Sequence, residues 1–511
     1  MIKKIIGNHL FRVMLILTSL VLQIFIWGVI IYIFRDYTTV LLVILALLTL
    51  LSAAYVITRD VYPENKIPWI ILMFAVPLFG GLIYAAYSGH RISKKRAALY
   101  EQITTNMNIA LSQVKDRHNE YFKDDIQSLR QSEYIMNTAI APAYQNTSLE
   151  YYKLGEEKLK SMIYELKKAE KFIFLEYFII EEGYMWSQIE EVLIQKAKEG
   201  VDIRLMFDDL GCWLTLPPNF IKKMHSYNIK CRAFNKFTHL FNSNFNNRDH
   251  RKICVIDGNV GFTGGINLAD EYINKKVKHG HWKDTAVMLK GDAVYNLTVM
   301  FLSMWNTITE NVEDYSKYAP TKSYKSDGVI QPFSDSPLDE YAVGENVYMS
   351  MLNRSEKYVY ITSPYLIISR EMMVALTSAA KSGVDVRIQL PKIPDKKFVH
   401  FLSRSYYETL LKNGVRIYEY TPGFIHSKMF ICDDKTSVVG SINLDYRSLS
   451  LHYECGVWIY KSSIIEDIKK DFLETEKKCE EIILQDFIKQ SKLGPFRLIL
   501  LGILRTFAPL I

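Results

Sequence analysis

Hydrophobic and polar positions divide the chain into an apolar start and a body of alternating strand-like and helix-like segments. Two apolar runs, 10–34 and 37–58, are each long enough to cross about 30 Å of hydrocarbon as a helix. A third run, 67–88, is interrupted by proline and glycine, and it fits either a third span or a re-entrant segment. The pattern therefore predicts a membrane anchor over residues 1–92.

Beyond the anchor, the same order of segments occurs twice. Residues 170–180 read as a buried strand, and an amphipathic helical stretch and a second strand at 201–209 follow. Residues 356–367 begin the same order again, and the second strand of this copy, at 384–391, opens with nearly the same letters: AKEGVDIRLMF against AKSGVDVRIQL. Repeated strand–helix–strand segments are typical of an α/β fold. We expect two pseudo-symmetric α/β halves that form one cleft.

The repeat also sets the expected domain boundaries. We predict a helical linker at 93–148, a first half at 149–330 and a second half at 331–490. The last segment, 491–511, carries two arginines in an apolar background and is too short to span a membrane comfortably. We predict an amphipathic, membrane-associated helix, and the pattern fits a helix docked on the core equally well.

Charge and cysteine content narrow the class of protein. The net charge of +7 is mild for 511 residues and comes without long Lys/Arg blocks, which argues against a nucleic-acid partner and suits an anionic membrane surface. Six cysteines without CxxC pairs indicate reduced, buried thiols and neither disulfides nor a zinc site. Positive residues gather just after the third apolar run, so the positive-inside rule predicts a multi-pass protein of the cell membrane with a cytoplasmic body.

Each half contains one copy of the same spaced motif. The matched pairs are His250 and His426, Lys252 and Lys428, Asp257 and Asp433, Gly264 and Gly440, and Asn267 and Asn443. Each motif opens a short apolar run that predicts a strand entering a hairpin. Side chains two apart on a strand share a face, so each histidine and its lysine point the same way. Each aspartate of the candidate catalytic set falls in the following turn and is assigned to structural support.

Two imidazoles and two ammonium groups in one cleft suit group transfer at a phosphodiester. One histidine can attack phosphorus, while the other protonates the leaving alkoxide and deprotonates the incoming alcohol. The lysines and asparagines, beside the small turns at Gly264 and at Gly440–Ser441, would bind the phosphoryl oxygens. Asp284 and Glu454 stand at corresponding positions and are candidates to orient the imidazoles. We expect neither a metal nor another cofactor.

The motif HxKxxxxD followed by GGxN or GSxN, in two copies, resembles the phospholipase D superfamily. The chain as a whole is similar to the bacterial cardiolipin synthases of that superfamily, through NNRDHRK at 246–252, HWKDT at 281–285 and SINLDYRSLSLHYE at 441–454. The resemblance implies that His250 is the nucleophile and His426 the general acid/base. Gly265 departs from the pattern, because the second copy has Ser441 there.

The resemblance also implies a reaction. A phosphatidyl group would pass from one phosphatidylglycerol through a phosphohistidine to the glycerol hydroxyl of another, giving cardiolipin and glycerol. The expected partners are phosphatidylglycerol and anionic membrane lipid, without an obligatory protein partner.

Other functions fit parts of this pattern. Water or another alcohol as acceptor would make the protein a phospholipase D or a different phosphatidyltransferase, because the acceptor depends on what the closed cleft excludes. A nuclease would gain nothing from the apolar start, and a scaffold with a relic repeat would not need all four histidines and lysines. Histidines outside the motifs, such as His225 and His452, are predicted to be structural or surface residues.

Overall fold

A computed structural model describes residues 25, 28–29, 32, 37–59, 63–87, 94–112, 120–236, 246–339, 341–490 and 494–510. The chain divides into two compact units: Met1–Arg91 with His239–Asn244 and Gly502–Ile511, and Ile92–Thr238 with Phe245–Leu501. The second unit contains both copies of the motif.

The described part of the first unit is helical. Its helices are α1 (Thr38–Thr58), α2 (Pro63–Ala75) and α3 (Pro77–Tyr87). The chain bends sharply between α2 and α3, so that a Cβ on Gly80 would lie 2.5 Å from the Cα of Met73. The third apolar run is thus two short helices rather than one. Within the described ranges, no helix is both long and apolar enough to cross a membrane. The predicted span at 10–34 lies almost wholly outside the described residues.

The second unit begins with the linker and the first half. The linker helices are α4 (Lys94–Ser112) and α5 (Ile126–Ala139). The strands of the first half are β1 (Thr147–Tyr152), β2 (Phe172–Tyr177), β3 (Asp202–Asp208), β4 (Lys230–Phe234), β5 (Arg248–Asp249), β6 (Lys252–Ile256), β7 (Val260–Gly264), β8 (His281–Lys283) and β9 (Ala286–Gly291). Its helices are α6 (Gly155–Leu166), α7 (Tyr184–Lys198), α8 (Asp209–Cys212), α9 (Phe220–Ser226) and α10 (Val294–Thr309), with a 3-10 turn at Asp270–Ile273.

The second half repeats the main strands and helices of the first half in the same order and adds several short elements. Its strands are β10 (Val329–Asp335), β11 (Tyr358–Thr362), β12 (Leu366–Ile367), β13 (Asp385–Pro391), β14 (Arg416–Tyr420), β15 (Gly423–Ile425), β16 (Met429–Cys432), β17 (Thr436–Gly440), β18 (Leu444–Asp445), β19 (His452–Tyr460) and β20 (Cys479–Glu481). Its helices are α11 (Val343–Arg354), α12 (Arg370–Lys381), α13 (Lys397–Arg404), α14 (Tyr407–Lys412), α15 (Tyr446–Ser450), α16 (Ile464–Glu476) and α17 (Leu484–Gln490), and α18 (Pro495–Phe507) follows.

The strand order of the two main sheets confirms the pseudo-symmetric α/β halves. The first sheet runs β1-β9-β7-β6-β2-β3-β4, and the second runs β10-β19-β17-β16-β11-β13-β14 with β20 added at its edge. In each half, the predicted strand–helix–strand segment forms a parallel pair, β2 with β3 and β11 with β13. Every side chain of β2 is buried, as expected of a continuous apolar strand covered on both faces.

Helices and sheets share three apolar cores. One core lies between the first sheet and the buried faces of α6 and α7, and a second lies between the second sheet and α5, α11 and α12. The third core combines side chains from both sheets with α10 and α16, so that the two halves are packed against each other. The motif strands β6 and β16 sit in the middle of their sheets, which holds them rigidly.

Two short strand pairings link the halves next to the motifs. Strand β5, which ends just before His250, pairs in parallel with the start of β19 in the second half. Strand β15, which ends just before His426, pairs in parallel with β8 in the first half. Each motif histidine therefore enters the cleft from a backbone that is tied to the opposite half.

Candidate active site

The two motif histidines occupy equivalent backbone positions. The His250 N–H donates to the carbonyl of Tyr453 at 2.9 Å, and the His426 N–H donates to the carbonyl of Lys283 at 2.7 Å. Both acceptors belong to the opposite half, one residue before a buried carboxylate. The backbone of each half thus places the acid of one half beside the histidine of the other.

Each imidazole is hydrogen-bonded to a carboxylate of the opposite half. His250 Nδ1 lies 2.8 Å from Glu454 Oε1, and His426 Nδ1 lies 2.7 Å from Asp284 Oδ2. Both carboxylates are completely buried. An Nδ1–H donated to a carboxylate leaves the lone pair on Nε2, which is the tautomer that can attack phosphorus or accept a proton.

Burial keeps both imidazoles neutral. It lowers the pKa of His250 well below the ordinary value, against the opposing effect of the Glu454 charge. It also lowers the pKa of His426 to about 4, and the nearby Lys428 adds to the shift. At neutral pH, each histidine therefore offers an uncharged nitrogen to the cleft.

Each motif lysine is buried next to the backbone of the histidine in its own motif. Lys252 Nζ donates to the carbonyl of His250, and Lys428 Nζ donates to the carbonyl of His426. Burial lowers the pKa of Lys252 to about 8 and that of Lys428 to about 7. The Lys252 charge contributes to the low pKa of both Lys428 and His426, so the charges of the two motifs act on one another.

Glu454 receives more hydrogen bonds than Asp284. The hydroxyl of Ser448 donates to Glu454 Oε1 at 2.5 Å, and the hydroxyl of Ser441 donates to Oε2. Burial would raise the pKa of Glu454, but the hydrogen bond from His250 and the positive charge of Lys252 hold it below its usual range. Asp284 accepts from His426 and from the backbone N–H of Thr285 at 2.8 Å.

The turn glycines are required by close approaches. A Cβ on Gly264 would contact the carbonyl of Thr285, and a Cβ on Gly440 would contact the carbonyl of Cys455. The departure at Gly265 has the same cause, because a Cβ there would collide with the Asp284 carboxylate. In the second half, Ser441 fills that place and bonds to the acid of its own half.

The motif asparagines are engaged differently in the two halves. Asn267 Nδ2 donates to the hydroxyl of Tyr272 at 2.8 Å, and its Oδ1 accepts the Ile179 N–H at 3.0 Å. The backbone N–H of Asn443 donates to the hydroxyl of Ser448 at 2.8 Å. Asn443 Oδ1 is buried without a hydrogen-bond partner in the described structure.

The motif aspartates lie at the opposite ends of their strands from the histidines. Asp257 and Asp433 have positive φ values of 53° and 55° in the hairpin turns. The Asp257 carboxylate accepts the backbone N–H groups of residues 170–172 at 2.7–2.9 Å, and that of Asp433 accepts those of residues 356–358 at 2.7–2.9 Å. Asp257 thereby fixes the start of β2, and Asp433 fixes the start of β11.

Sequence reasoning missed two aromatic side chains that lie beside the motif histidines. His452, which we expected to be structural or exposed, lies with its ring centroid 5.6 Å from that of His250. Trp282 occupies the matching position, 5.5 Å from the ring of His426. Both precede a buried carboxylate by two positions on a strand, and this same-face spacing is the signal that could have found them. His250, His452 and Glu454 also form a cluster of potential metal ligands.

Comparison with known proteins agrees with this geometry. Residues 162–305 and 348–475 match the family described as "Cardiolipin synthase, PLD-like domain", and residues 41–87 match one described as "Phospholipase_D-nuclease N-terminal". The fold and the two matched segments are those of a phospholipase D-like protein. The chain belongs to the cardiolipin synthase family.

Individual relatives cover most of the chain. An uncharacterized protein of Streptococcus mutans serotype c is 42% identical over 450 residues, which are 86% of this chain and 96% of that one. A cardiolipin synthase of Geobacillus kaustophilus is 33% identical over 462 residues, 88% of this chain and 89% of the relative. The crystal structure of phosphatidylserine synthase from Haemophilus influenzae Rd KW20 has a TM-score of 0.56 at 16% identity, covering 75% of this chain and 98% of that one. This last likeness concerns the fold alone.

Proposed function

We propose that the protein transfers the phosphatidyl group of one phosphatidylglycerol to a second, giving cardiolipin and glycerol. The observation that carries the proposal is the crossed pairing of His250 with Glu454 and of His426 with Asp284 in one buried cleft. Two oriented imidazoles are what a double displacement at phosphorus needs, one as nucleophile and one as proton carrier. Membership of the cardiolipin synthase family supports the choice of lipid.

In the first displacement, Nε2 of His250 attacks the phosphorus of phosphatidylglycerol. The bond from phosphorus to the glycerol oxygen breaks, and protonated His426 gives its proton to that oxygen. The binding of an anionic phosphodiester raises the pKa of His426 toward the range in which it can carry this proton. Free glycerol leaves, and the phosphatidyl group stays on His250.

In the second displacement, a hydroxyl of another phosphatidylglycerol takes the place of glycerol. His426, now neutral, removes the hydroxyl proton as the oxygen attacks phosphorus. The phosphorus–nitrogen bond to His250 breaks, and cardiolipin is released. Water in the same position would give phosphatidic acid, so the reaction depends on excluding water from the cleft.

Lys252, Lys428 and the two asparagines complete the site. The ammonium groups balance the charge that builds on the phosphoryl oxygens, and a buried cleft strengthens this effect. Asp257 and Asp433 support the strands from a distance and do not touch the reacting atoms.

The surroundings of the two carboxylates support His250 as the nucleophile. Glu454 shares its charge among His250 and two serine hydroxyls, whereas Asp284 accepts from His426 and one backbone N–H. A carboxylate with fewer other donors stabilises an imidazolium better. His426 is therefore better suited to hold a proton, and His250 to remain a neutral nucleophile.

We also propose that the apolar N-terminal region holds the protein in the cell membrane as a multi-pass anchor, with the body on the cytoplasmic side. The apolar runs of the sequence and the positive residues at 91–96 support this placement. Resistance to carbonate extraction, together with labelling of a cysteine introduced after residue 93 only in inverted vesicles, tests it. Labelling from the outer side would contradict it.

The decisive experiment supplies the membrane-reconstituted protein with phosphatidylglycerol as the sole lipid and a chelator. Cardiolipin, glycerol and phosphatidic acid are quantified by mass spectrometry, beside His250→Ala and His426→Ala. Equal amounts of cardiolipin and glycerol, absent from both variants, are expected. Phosphatidic acid with little cardiolipin would show that water is the acceptor and would replace the synthase with a hydrolase.

A further inference from the structure

His452 is a third imidazole at the catalytic pair of His250 and Glu454. Its side chain is 11% exposed, and its Nδ1 lies 3.8 Å from Glu454 Oε1, beyond hydrogen-bonding distance. Neither ring nitrogen has a hydrogen-bond partner within the described ranges, although both are buried. Buried polar atoms without hydrogen-bond partners are uncommon in folded proteins, and a bound ion is one explanation for them.

The three side chains are spaced like the ligands of a small transition-metal ion. One donor atom from each of His250, His452 and Glu454 can be chosen so that all lie within 4.8 Å of one another. Bonds of 2.0–2.1 Å in a tetrahedron put neighbouring ligand atoms about 3.3 Å apart. Nδ1 of His250 and Nδ1 of His452 lie 2.8 Å and 3.8 Å from Glu454 Oε1, on either side of that separation.

We propose that His250, His452 and Glu454 form a binding site for a divalent transition metal such as Zn²⁺, and that the bound ion inhibits the enzyme. Two imidazoles and a carboxylate are a ligand set that zinc favours, with a fourth position left for water. Ser441 and Ser448 already hold the carboxylate in place, as outer-shell groups do in metal sites.

Inhibition follows from the chemistry of the imidazole and rests on the proposed function. If the ion binds Nδ1 of His250, the proton that Nδ1 donated to Glu454 moves to Nε2. The Nε2 lone pair that would attack phosphorus is then used for the N–H bond. If the ion binds Nε2, it blocks the attacking atom directly.

Among the residues that the structure describes, the other half-site has no counterpart of this cluster. Trp282 stands where the pseudo-twofold would place a second His452, and an indole N–H is a donor that cannot ligate a metal. The pair of His426 and Asp284 therefore lacks a third ligand at this position. The proposal predicts one ion per chain at the catalytic cleft.

The test measures binding of zinc alone, without substrate. Tag-free, chelator-treated full-length protein is titrated with Zn²⁺ by calorimetry, and its melting temperature is followed. We expect one equivalent at the site and a higher melting temperature with zinc. His452→Asn should weaken binding by about a hundredfold or more, since even an outer-shell partner of a ligand is worth about 10–100-fold. His225→Asn, which removes an exposed histidine, is the matched control and should bind as the parent does.

Activity provides the second readout. Zinc should inhibit cardiolipin formation by the parent and by His225→Asn, chelator should reverse this, and His452→Asn should resist it. His452→Gln and a melting curve guard against misfolding of the first variant. Equal zinc binding by the parent and both His452 variants would overturn the site, and activation of chelator-treated enzyme by zinc would overturn its inhibitory role. His452-dependent binding in a protein that makes no cardiolipin would keep the site and refute the proposed function.

Discussion

The half-sites around His250 and His426 have the same backbone arrangement but differ in the side chains that surround each imidazole. Each histidine follows a short strand paired with the opposite half, and each donates Nδ1–H to that half's carboxylate. Around His250 the acid is a glutamate with two serine donors, and a histidine lies nearby. Around His426 the acid is an aspartate beside a tryptophan.

The difference shows that, in each half, the residue in the turn and the buried acid must match in size. Gly265 leaves room for the short Asp284 side chain, which any Cβ at 265 would strike. In the second half, the longer Glu454 reaches a position where Ser441 can donate to it. Each turn residue therefore fits the acid of its own half, and exchanging one member alone should disturb the site.

The largest expected effect separates the roles of the two histidines. His250→Ala and His426→Ala should each lower cardiolipin formation by about 10⁴-fold or more. When catalytic residues act as a unit, removal of any one of them abolishes nearly all of the activity. A lipid phosphodiester with a p-nitrophenyl leaving group needs no proton from the enzyme. With it, His426→Ala should still form a covalent adduct, seen by intact-mass spectrometry, whereas His250→Ala should not. The reverse pattern would exchange the two roles.

The next effect concerns the crossed carboxylates. Glu454→Gln and Asp284→Asn should each lower kcat by about 10²–10⁴-fold, since an amide no longer fixes the tautomer or stabilises an imidazolium. The p-nitrophenyl substrate distinguishes them, because it should restore adduct formation in Asp284→Asn and leave Glu454→Gln impaired. Equal restoration of both variants would contradict the assigned division of labour.

Features that depend on residues close together in the chain could be predicted from the sequence, whereas contacts between distant residues could not. The strand–helix–strand repeats are visible in local periodicity, and the pairing of β2 with β3 and of β11 with β13 confirms them. The apolar runs after the motif histidines form β6 and β16 as predicted, but His250, His426 and Lys428 lie just before these strands rather than on them. The crossing of Glu454 to His250 depends on two strand pairings between halves, which no local pattern encodes. The proximity of His452 to His250 could not be predicted, because the two residues are 202 positions apart in the chain.

A pH profile gives the third test, because the buried lysines have lowered pKa values of about 8 for Lys252 and about 7 for Lys428. Above these values the ammonium groups lose their protons, so kcat/KM should fall as pH rises above 7, by about tenfold per pH unit once a group has titrated. Lys428→Arg keeps its charge and should move the start of the decline toward the pKa of Lys252. An unchanged profile would remove Lys428 as the cause.

Stability should change with pH in the opposite direction. An unfolded lysine keeps its proton up to about pH 10.4, so between pH 7 and 10 the unfolded chain binds more protons than the folded one at these two positions. Their contribution to the free energy of unfolding therefore rises with pH over this window. Denaturant unfolding of the parent beside Lys428→Met isolates the Lys428 share, and a variant with the same pH slope as the parent would contradict it.

The smallest effect tests the fit of turn residue to acid. Ser441→Ala removes one hydrogen bond to the Glu454 carboxylate, and such bonds to charged groups are worth about 1.5–3 kcal/mol, so kcat should fall by about 10–100-fold without loss of fold. Gly265→Ala instead drives a Cβ into the Asp284 carboxylate, and it should displace the acid from His426 and also lower the melting temperature. Because the proposed mechanism assigns Asp284 to proton transfer, the p-nitrophenyl substrate should restore adduct formation in Gly265→Ala but not in Ser441→Ala. Restoration of Ser441→Ala as well would show that Ser441 supports the proton carrier rather than the nucleophile, and that the two half-sites are coupled more closely than their separate acids suggest.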